Sequence, residues 1–134
     1  MLKKIYWNFF KRNIFGMTGH LRVLPDFIII GSMKCGTTSL YYDICEHPCT
    51  LAATYDEIGF FDSNFHLGLN WYRSMFPRKK QIEDVKQREG VAITGEDTPF
   101  YFWNPVAAKR IQKLLPKIKL IIILRNPIDR AYSE

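Results

Sequence analysis

The sequence predicts an α/β fold in which a central parallel sheet is flanked by helices. Predicted strands at 27–30 and 119–124, apolar throughout except for Lys119, are each followed by a segment that opens a helix, and a third predicted strand lies at 91–94. An apolar run without polar alternation is typical of a strand buried on both faces. Strands that alternate with helices form parallel sheets. We therefore expect one α/β domain, for which 134 residues are sufficient.

After the first strand, the chain continues with a helix, a second strand and an acidic turn. Residues 37–46 form a predicted helix and residues 51–53 a predicted short strand. In residues 54–62 an acidic turn is followed by Phe60 and Phe61, which we expect to anchor the turn in the core. The carboxyl edge of an open α/β sheet is where ligands bind. The turn brings three carboxylates to that edge, Asp56, Glu57 and Asp62.

The middle of the chain supplies packing helices and a third strand. Residues 67–77 predict a helix whose apolar face packs on the core, and residues 78–90, rich in both charges, predict a solvated helix or long loop. The aromatic stretch 100–103 follows the strand predicted at 91–94 and is expected to form one wall of a pocket. The apolar face of the helix in 67–77 consists of Trp71, Tyr72, Met75 and Phe76.

The next helix has a clear start and end in the sequence. Asn104 is a predicted N-cap and Pro105 a first-turn proline, and the helix is expected to end at Pro116. Its predicted inward face consists of Val106, Ile111, Leu114 and Leu115.

A glycine-bounded loop at 31–36 follows the first strand. Gly31 and Gly36 allow sharp turns, so the amides between them can converge on one point. The helix that follows opens with Thr37, Thr38 and Ser39, and its free amides and positive dipole end favour an anion. We interpret the loop as an anion cradle; a turn that binds nothing is the alternative. Lys34 lies inside the loop rather than directly after the second glycine, which disfavours a nucleoside triphosphatase.

A second candidate anion site follows the strand at 119–124. Arg125 comes directly after this strand, Asn126 and Pro127 open another helix, and Ser133 lies on it. A ligand phosphorylated at two separate positions would bridge the two sites.

Composition indicates a globular protein, and its basic charge fits an anionic small ligand or acidic substrate as well as it fits a nucleic acid. The hydrophobic fraction is 47% and the net charge is +6, but four of the 19 basic residues lie within the first 12 positions. No basic and aromatic repeat of the kind that follows a nucleic-acid backbone is present. Three cysteines without CxxC spacing and three scattered histidines predict neither a disulfide framework nor a zinc site.

Four segments together resemble the sulfotransferase family. PDFIIIGSMKCGTTSL looks like the loop that binds the 5′-phosphosulfate in these enzymes, and LRNPIDRAYSE looks like their 3′-phosphate segment. DEIGFFD and GEDTPFYF resemble pieces of the branch that includes heparan sulfate and other carbohydrate sulfotransferases. The resemblance implies a P-loop-like three-layer fold, 3′-phosphoadenylyl sulfate as sulfate donor, an acceptor that is a hydroxyl or amine of a carbohydrate, and no metal.

The resemblance also implies roles for individual residues. Lys34 would stabilise charge on the bridging oxygen as it leaves, and Glu57 would take the proton from the acceptor. The 5′-phosphate would be held by the loop and helix start, and the 3′-phosphate by the second segment. The implied donor-binding residues are Lys34, Cys35, Gly36, Thr37, Thr38, Ser39, Arg125 and Ser133.

The chain departs from that pattern in two places. Gly59 stands where many heparan enzymes have histidine, and Asp97 stands where several have lysine, so the acceptor side differs from theirs in detail. The family also continues beyond the counterpart of Ser133. We therefore expect an N-terminal fragment of the domain, with the C-terminal part missing and little transfer activity of its own.

The N-terminal residues differ in character from the rest. Residues 1–24 are predicted to form a basic amphipathic segment and residues 25–134 the sulfotransferase domain portion. Within residues 1–16, a helix that packs its aromatic face on the domain is favoured over a segment that rests on a membrane surface. Residues 1–16 have neither the length of a membrane span nor a signal-peptide pattern, which predicts a cytoplasmic or membrane-peripheral protein. Two alternatives to a sulfotransferase remain: a P-loop nucleotide kinase or NTPase, and a membrane-peripheral binding module built on residues 1–16.

Overall fold

The computed structural model describes residues 16–132. Within them, four parallel strands form one sheet in the order β2-β3-β1-β4. The strands are β1 (Phe27–Gly31), β2 (Thr50–Ala52), β3 (Ile93–Asp97) and β4 (Lys119–Ile122). The predicted α/β class with a central parallel sheet is confirmed. The amphipathic segment expected at 1–16 lies, except for Gly16, outside the described residues, as does Ser133.

Helices connect the strands. The α-helices are α1 (Thr37–Cys45), α2 (Leu69–Ser74), α3 (Lys79–Glu89), α4 (Pro105–Leu114) and α5 (Pro127–Ala131). Short 3₁₀ helices lie at Gly19–Leu21, Phe65–Leu67 and Pro99–Trp103. The helix expected in 67–77 is confirmed, and its four apolar side chains are buried. The charged segment 78–90 contains a helix, α3, that is mostly exposed.

Strand β1 contributes side chains to hydrophobic clusters on both faces of the sheet. Phe27 and Ile29 pack with Tyr41 of α1 on one face. Ile28 packs on the other face with the apolar side chains of α2 and α4. Because successive strand side chains point to opposite faces, an uninterrupted apolar run fills both cores.

Strand β3 starts and ends later than the sequence predicts. It spans Ile93–Asp97 rather than 91–94, because its pairing with β1 continues to the register Ile29↔Asp97. Glu96 and Asp97, expected in the loop after the strand, are therefore its last two residues, and both are only 1% exposed.

The predictions for two other elements were wrong in part. Strand β4 was expected to extend to 124 and to be buried on both faces, yet it ends at Ile122, and Leu120 and Ile122 are each 48% exposed. The reason is the strand order, which leaves β4 with a single neighbour in the described part of the chain. In α4, Val106 was assigned to the inward face but is exposed, and Ala107 is buried instead.

Candidate functional site

The glycine loop, residues 31–36, joins β1 to α1 with its central residues exposed. Lys34 has φ 60 and Gly36, the N-cap of α1, has φ 87. Glycine adopts this left-handed conformation without steric cost, so the chain can turn directly into the helix. Backbone bonds hold the loop: Ser32 N–H donates to Ile123 O at 2.8 Å and Cys35 N–H to Ser32 O at 3.2 Å. The loop therefore rests on the segment after β4.

A cavity of about 420 Å³ opens between the glycine loop and two neighbouring segments. It contains a cation, a carboxylate, hydroxyls and the N-terminal end of a helix, a combination that suits an anion and a group that loses a proton. Its lining residues are Met33, Lys34, Gly36, Thr37, Thr38, Ser39, Glu57, Pro99 and Phe100. Six residues predicted for the site thus lie around one space. The expectation that the aromatic stretch forms a pocket wall holds for Phe100.

The carboxylate loop, residues 56–62, is held against the end of β3. Glu57 is exposed and has φ 48, and its N–H donates to Asp97 O at 3.1 Å. Gly59, with φ 60, donates its N–H to Thr98 Oγ1 at 3.3 Å. Phe61 donates its N–H to Tyr101 Oη at 3.1 Å. The predicted anchoring by aromatic side chains is confirmed, since Phe60 and Phe61 are at most 1% exposed.

A buried carboxyl group lies behind this loop. Glu96 Oε1 accepts from Tyr72 Oη at 2.5 Å, and its Oε2 accepts from Thr98 Oγ1 at 2.9 Å. Burial raises the pKa of Glu96 to about 7, although the two hydroxyl donors act in the opposite direction. Burial also raises the pKa of Tyr72.

Asp97, on the opposite face of β3, lies between the two loops. Its Oδ2 accepts from Thr38 Oγ1 at 3.4 Å, and its Oδ1 is buried without a hydrogen-bond partner in the described part of the chain. Burial raises the pKa of Asp97, and the nearby charges of Asp56 and Glu57 raise it further. The sequence identified Asp97 only as a departure from the family pattern and did not predict this contact.

The second anion segment lies beside the glycine loop. Arg125 Nη1 donates to Lys34 O at 3.4 Å. Asn126 caps α5 as predicted, its side chain accepting from Ile128 N–H at 2.9 Å. Cys35 lies between Lys34 and Gly36, and its Sγ is 3.5 Å from Met33 O.

The described residues contain neither a candidate metal cluster nor a candidate membrane span. Within residues 16–132, no three or more His, Cys, Asp or Glu side chains are grouped so that they could hold a metal ion. No helix in the same range has both the length and the apolarity to cross a bilayer.

Comparison with curated proteins gives related sulfotransferases. The chain is 40% identical over 116 residues to the membrane-associated sulfotransferase kil1 of Dictyostelium discoideum, a match that covers 87% of this chain and 23% of that protein. It is 37% identical to the human bifunctional heparan sulfate N-deacetylase/N-sulfotransferase 2, a match that covers 82% of this chain and 12% of that protein. The chain thus spans less than a quarter of the length of these relatives.

A solved structure and a domain profile agree with these matches. The crystal structure of a sulfotransferase from Alicyclobacillus acidocaldarius superimposes with a TM-score of 0.59 at 31% identity, covering 83% of this chain and 48% of that one. The profile of the sulfotransferase domain matches residues 24–134. Members of this family generally take 3′-phosphoadenylyl sulfate as sulfate donor. With the fold, the loop and the relatives in agreement, the chain belongs to the sulfotransferase domain family.

Proposed function

We propose that this chain forms the donor-binding and base-carrying part of an enzyme that transfers a sulfuryl group from 3′-phosphoadenylyl sulfate to a carbohydrate hydroxyl or amine. The observation that supports this proposal is the single cavity lined by Lys34, Thr38 and Glu57 at the carboxyl edge of the sheet. The carbohydrate acceptor is suggested by relatives whose name specifies heparan sulfate.

On the donor side, the glycine loop and the start of α1 hold the 5′-phosphosulfate. Amides and hydroxyls at a helix N-terminus bind phosphate oxygens, and the ammonium of Lys34 is exposed beside them. Arg125 approaches the same loop and, together with Ser133, grips the 3′-phosphate. The backbone of Cys35 completes the cradle between Lys34 and Gly36.

On the acceptor side, Glu57 is the general base. As the acceptor oxygen or nitrogen forms a bond to sulfur, Glu57 takes its proton, and the bond from sulfur to the bridging phosphate oxygen breaks. Lys34 stabilises the charge that develops on this leaving oxygen, the type of interaction that contributes most when the cation is already in place. The donor supplies the sulfuryl group, and the protein supplies alignment, the cation and the base.

We also propose a location for the protein in the cell. We place the protein in the cytoplasm or at a membrane surface, with residues 1–16 as the segment that contacts the membrane. One relative is membrane-associated by name.

The experiment that tests this function is ligand-dependent melting of the 134-residue chain. Adenosine 3′,5′-bisphosphate without magnesium should raise the melting temperature by roughly 8 °C at 100 times its Kd, because binding to the folded state adds about 2.7 kcal/mol. Unphosphorylated adenosine is the matched control and should give no shift. Stabilisation only by ATP with magnesium would instead support a nucleotide kinase or NTPase. Vesicle binding that ignores nucleotide and disappears without residues 1–16 would support a membrane-peripheral module.

A further inference from the structure

We propose that Glu96 and Thr98 are positioning residues that fix the carboxylate loop, and with it Glu57, at the edge of the cavity. This inference rests on the function proposed above, in which Glu57 is the base. Glu96 is a buried carboxyl group that takes no part in the proposed transfer reaction itself.

Two hydrogen bonds hold the carboxylate loop on either side of Ile58. Glu57 N–H donates to Asp97 O at 3.1 Å, and Gly59 N–H donates to Thr98 Oγ1 at 3.3 Å. Asp97, the last residue of β3, and Thr98, the residue after it, therefore hold two positions that flank the buried Ile58. One of these bonds uses a backbone carbonyl, which every residue has. The other depends on a hydroxyl at position 98.

Glu96 orients the hydroxyl of Thr98. A threonine hydroxyl has one hydrogen, and Thr98 directs it to Glu96 Oε2 at 2.9 Å. Its oxygen lone pairs therefore remain for Gly59 N–H. A hydroxyl without this acceptor would be free to turn its hydrogen toward the amide, which would remove the bond.

Burial of the Glu96 carboxyl group lowers the stability of the folded chain. Glu96 is 1% exposed, and the described groups that face it are the hydroxyls of Tyr72, Thr98 and Tyr101 and the carboxyls of Asp97 and Asp62. Burying a carboxyl group without a cation destabilises a fold, and an apolar side chain of similar volume is often better tolerated. An apolar side chain at position 96 could not accept this hydrogen bond and would therefore leave the Thr98 hydroxyl without a fixed orientation.

The test compares three variants of the full chain by amide hydrogen exchange and by binding of adenosine 3′,5′-bisphosphate. Thr98→Val removes the hydroxyl at nearly constant volume, and Thr98→Ser keeps it. The matched control is Thr94→Val, because Thr94 is also a buried threonine but lies on β3 and donates to Leu51 O at 2.6 Å, away from the loop. Exchange is measured at Gly59 and, for comparison, at Ser32 in the glycine loop.

We expect Gly59 to exchange at least about tenfold faster in Thr98→Val, the loss of one hydrogen bond. The exchange of Ser32 and the nucleotide affinity should stay within about twofold, and Thr98→Ser should restore the slow exchange of Gly59. Unchanged Gly59 exchange in Thr98→Val, or equal acceleration in Thr94→Val, would overturn the positioning role. Failure of the unaltered chain to bind the nucleotide would instead overturn the proposed function, whatever the loop amides do.

Discussion

The two loops at the cavity are held in different ways. The glycine loop exposes Met33 and Lys34 and rests on a few backbone bonds to its own residues and to Ile123. The carboxylate loop inserts Ile58 and two phenylalanines into the core and bonds through three amides to the end of β3 and the residues after it. If the proposed function is correct, we expect the fold itself to place Glu57, whereas the glycine loop should gain stability from the anion that it binds.

The largest expected effect is on the glycine loop. Lys34→Ala should lower sulfate transfer by the protein that carries this chain by about 10²–10³-fold, because a lost donor to a developing oxyanion has that effect. It should also weaken binding of adenosine 3′,5′-bisphosphate. Transfer is measured with labelled donor and binding by calorimetry.

The control for Lys34→Ala is Lys117→Ala, because Lys117 is exposed and precedes β4 at the opposite edge of the sheet. Full transfer activity in Lys34→Ala would remove this lysine from the mechanism.

A smaller and more selective effect is expected on the carboxylate loop. Glu57→Gln should lower transfer by about a hundredfold, the lower range for loss of a general base. Nucleotide affinity should not fall, because the loop is held by backbone and core contacts that the amide leaves in place. The combination of a large loss in turnover with unchanged binding separates the two loops experimentally.

Glu46→Gln, at the exposed C-terminal end of α1, is the matched loss of a carboxylate. A Glu57→Gln variant that binds nucleotide poorly would show that the two loops are not independent.

Local signals in the sequence were enough for the fold class, the glycine loop and the N-caps at Asn104 and Asn126. These depend on neighbouring residues: an apolar run, two glycines, or an asparagine before a proline. The role of Glu96 could not be predicted, because its partner Tyr72 is 24 residues away and the contact depends on how far β3 pairs with β1. Val106 was assigned to the inward face of α4 in error, because Ala107, four residues before the buried Ile111, shares the face of Ile111.

The smallest expected effect concerns the support behind the carboxylate loop and the pH. The pKa of Glu96 is about 7 in the folded protein against an ordinary value of 4.5, so between these values the folded chain holds a proton that the unfolded chain has lost. The free energy of unfolding should therefore fall as the pH rises from 4.5 to 7, by at most about 3 kcal/mol from this group.

Glu96→Gln cannot titrate and should lack this component. Compared with the unaltered chain, the variant should gain stability across that range and match it near pH 4, where both side chains are neutral. Asp97 is present in both proteins, so only its coupling to Glu96 remains in the difference. Urea unfolding from pH 4 to 8 measures the effect, with Glu83→Gln on the exposed surface of α3 as the control. A stability difference that stays constant over this range would mean that Glu96 carries the same charge in the folded and unfolded chains.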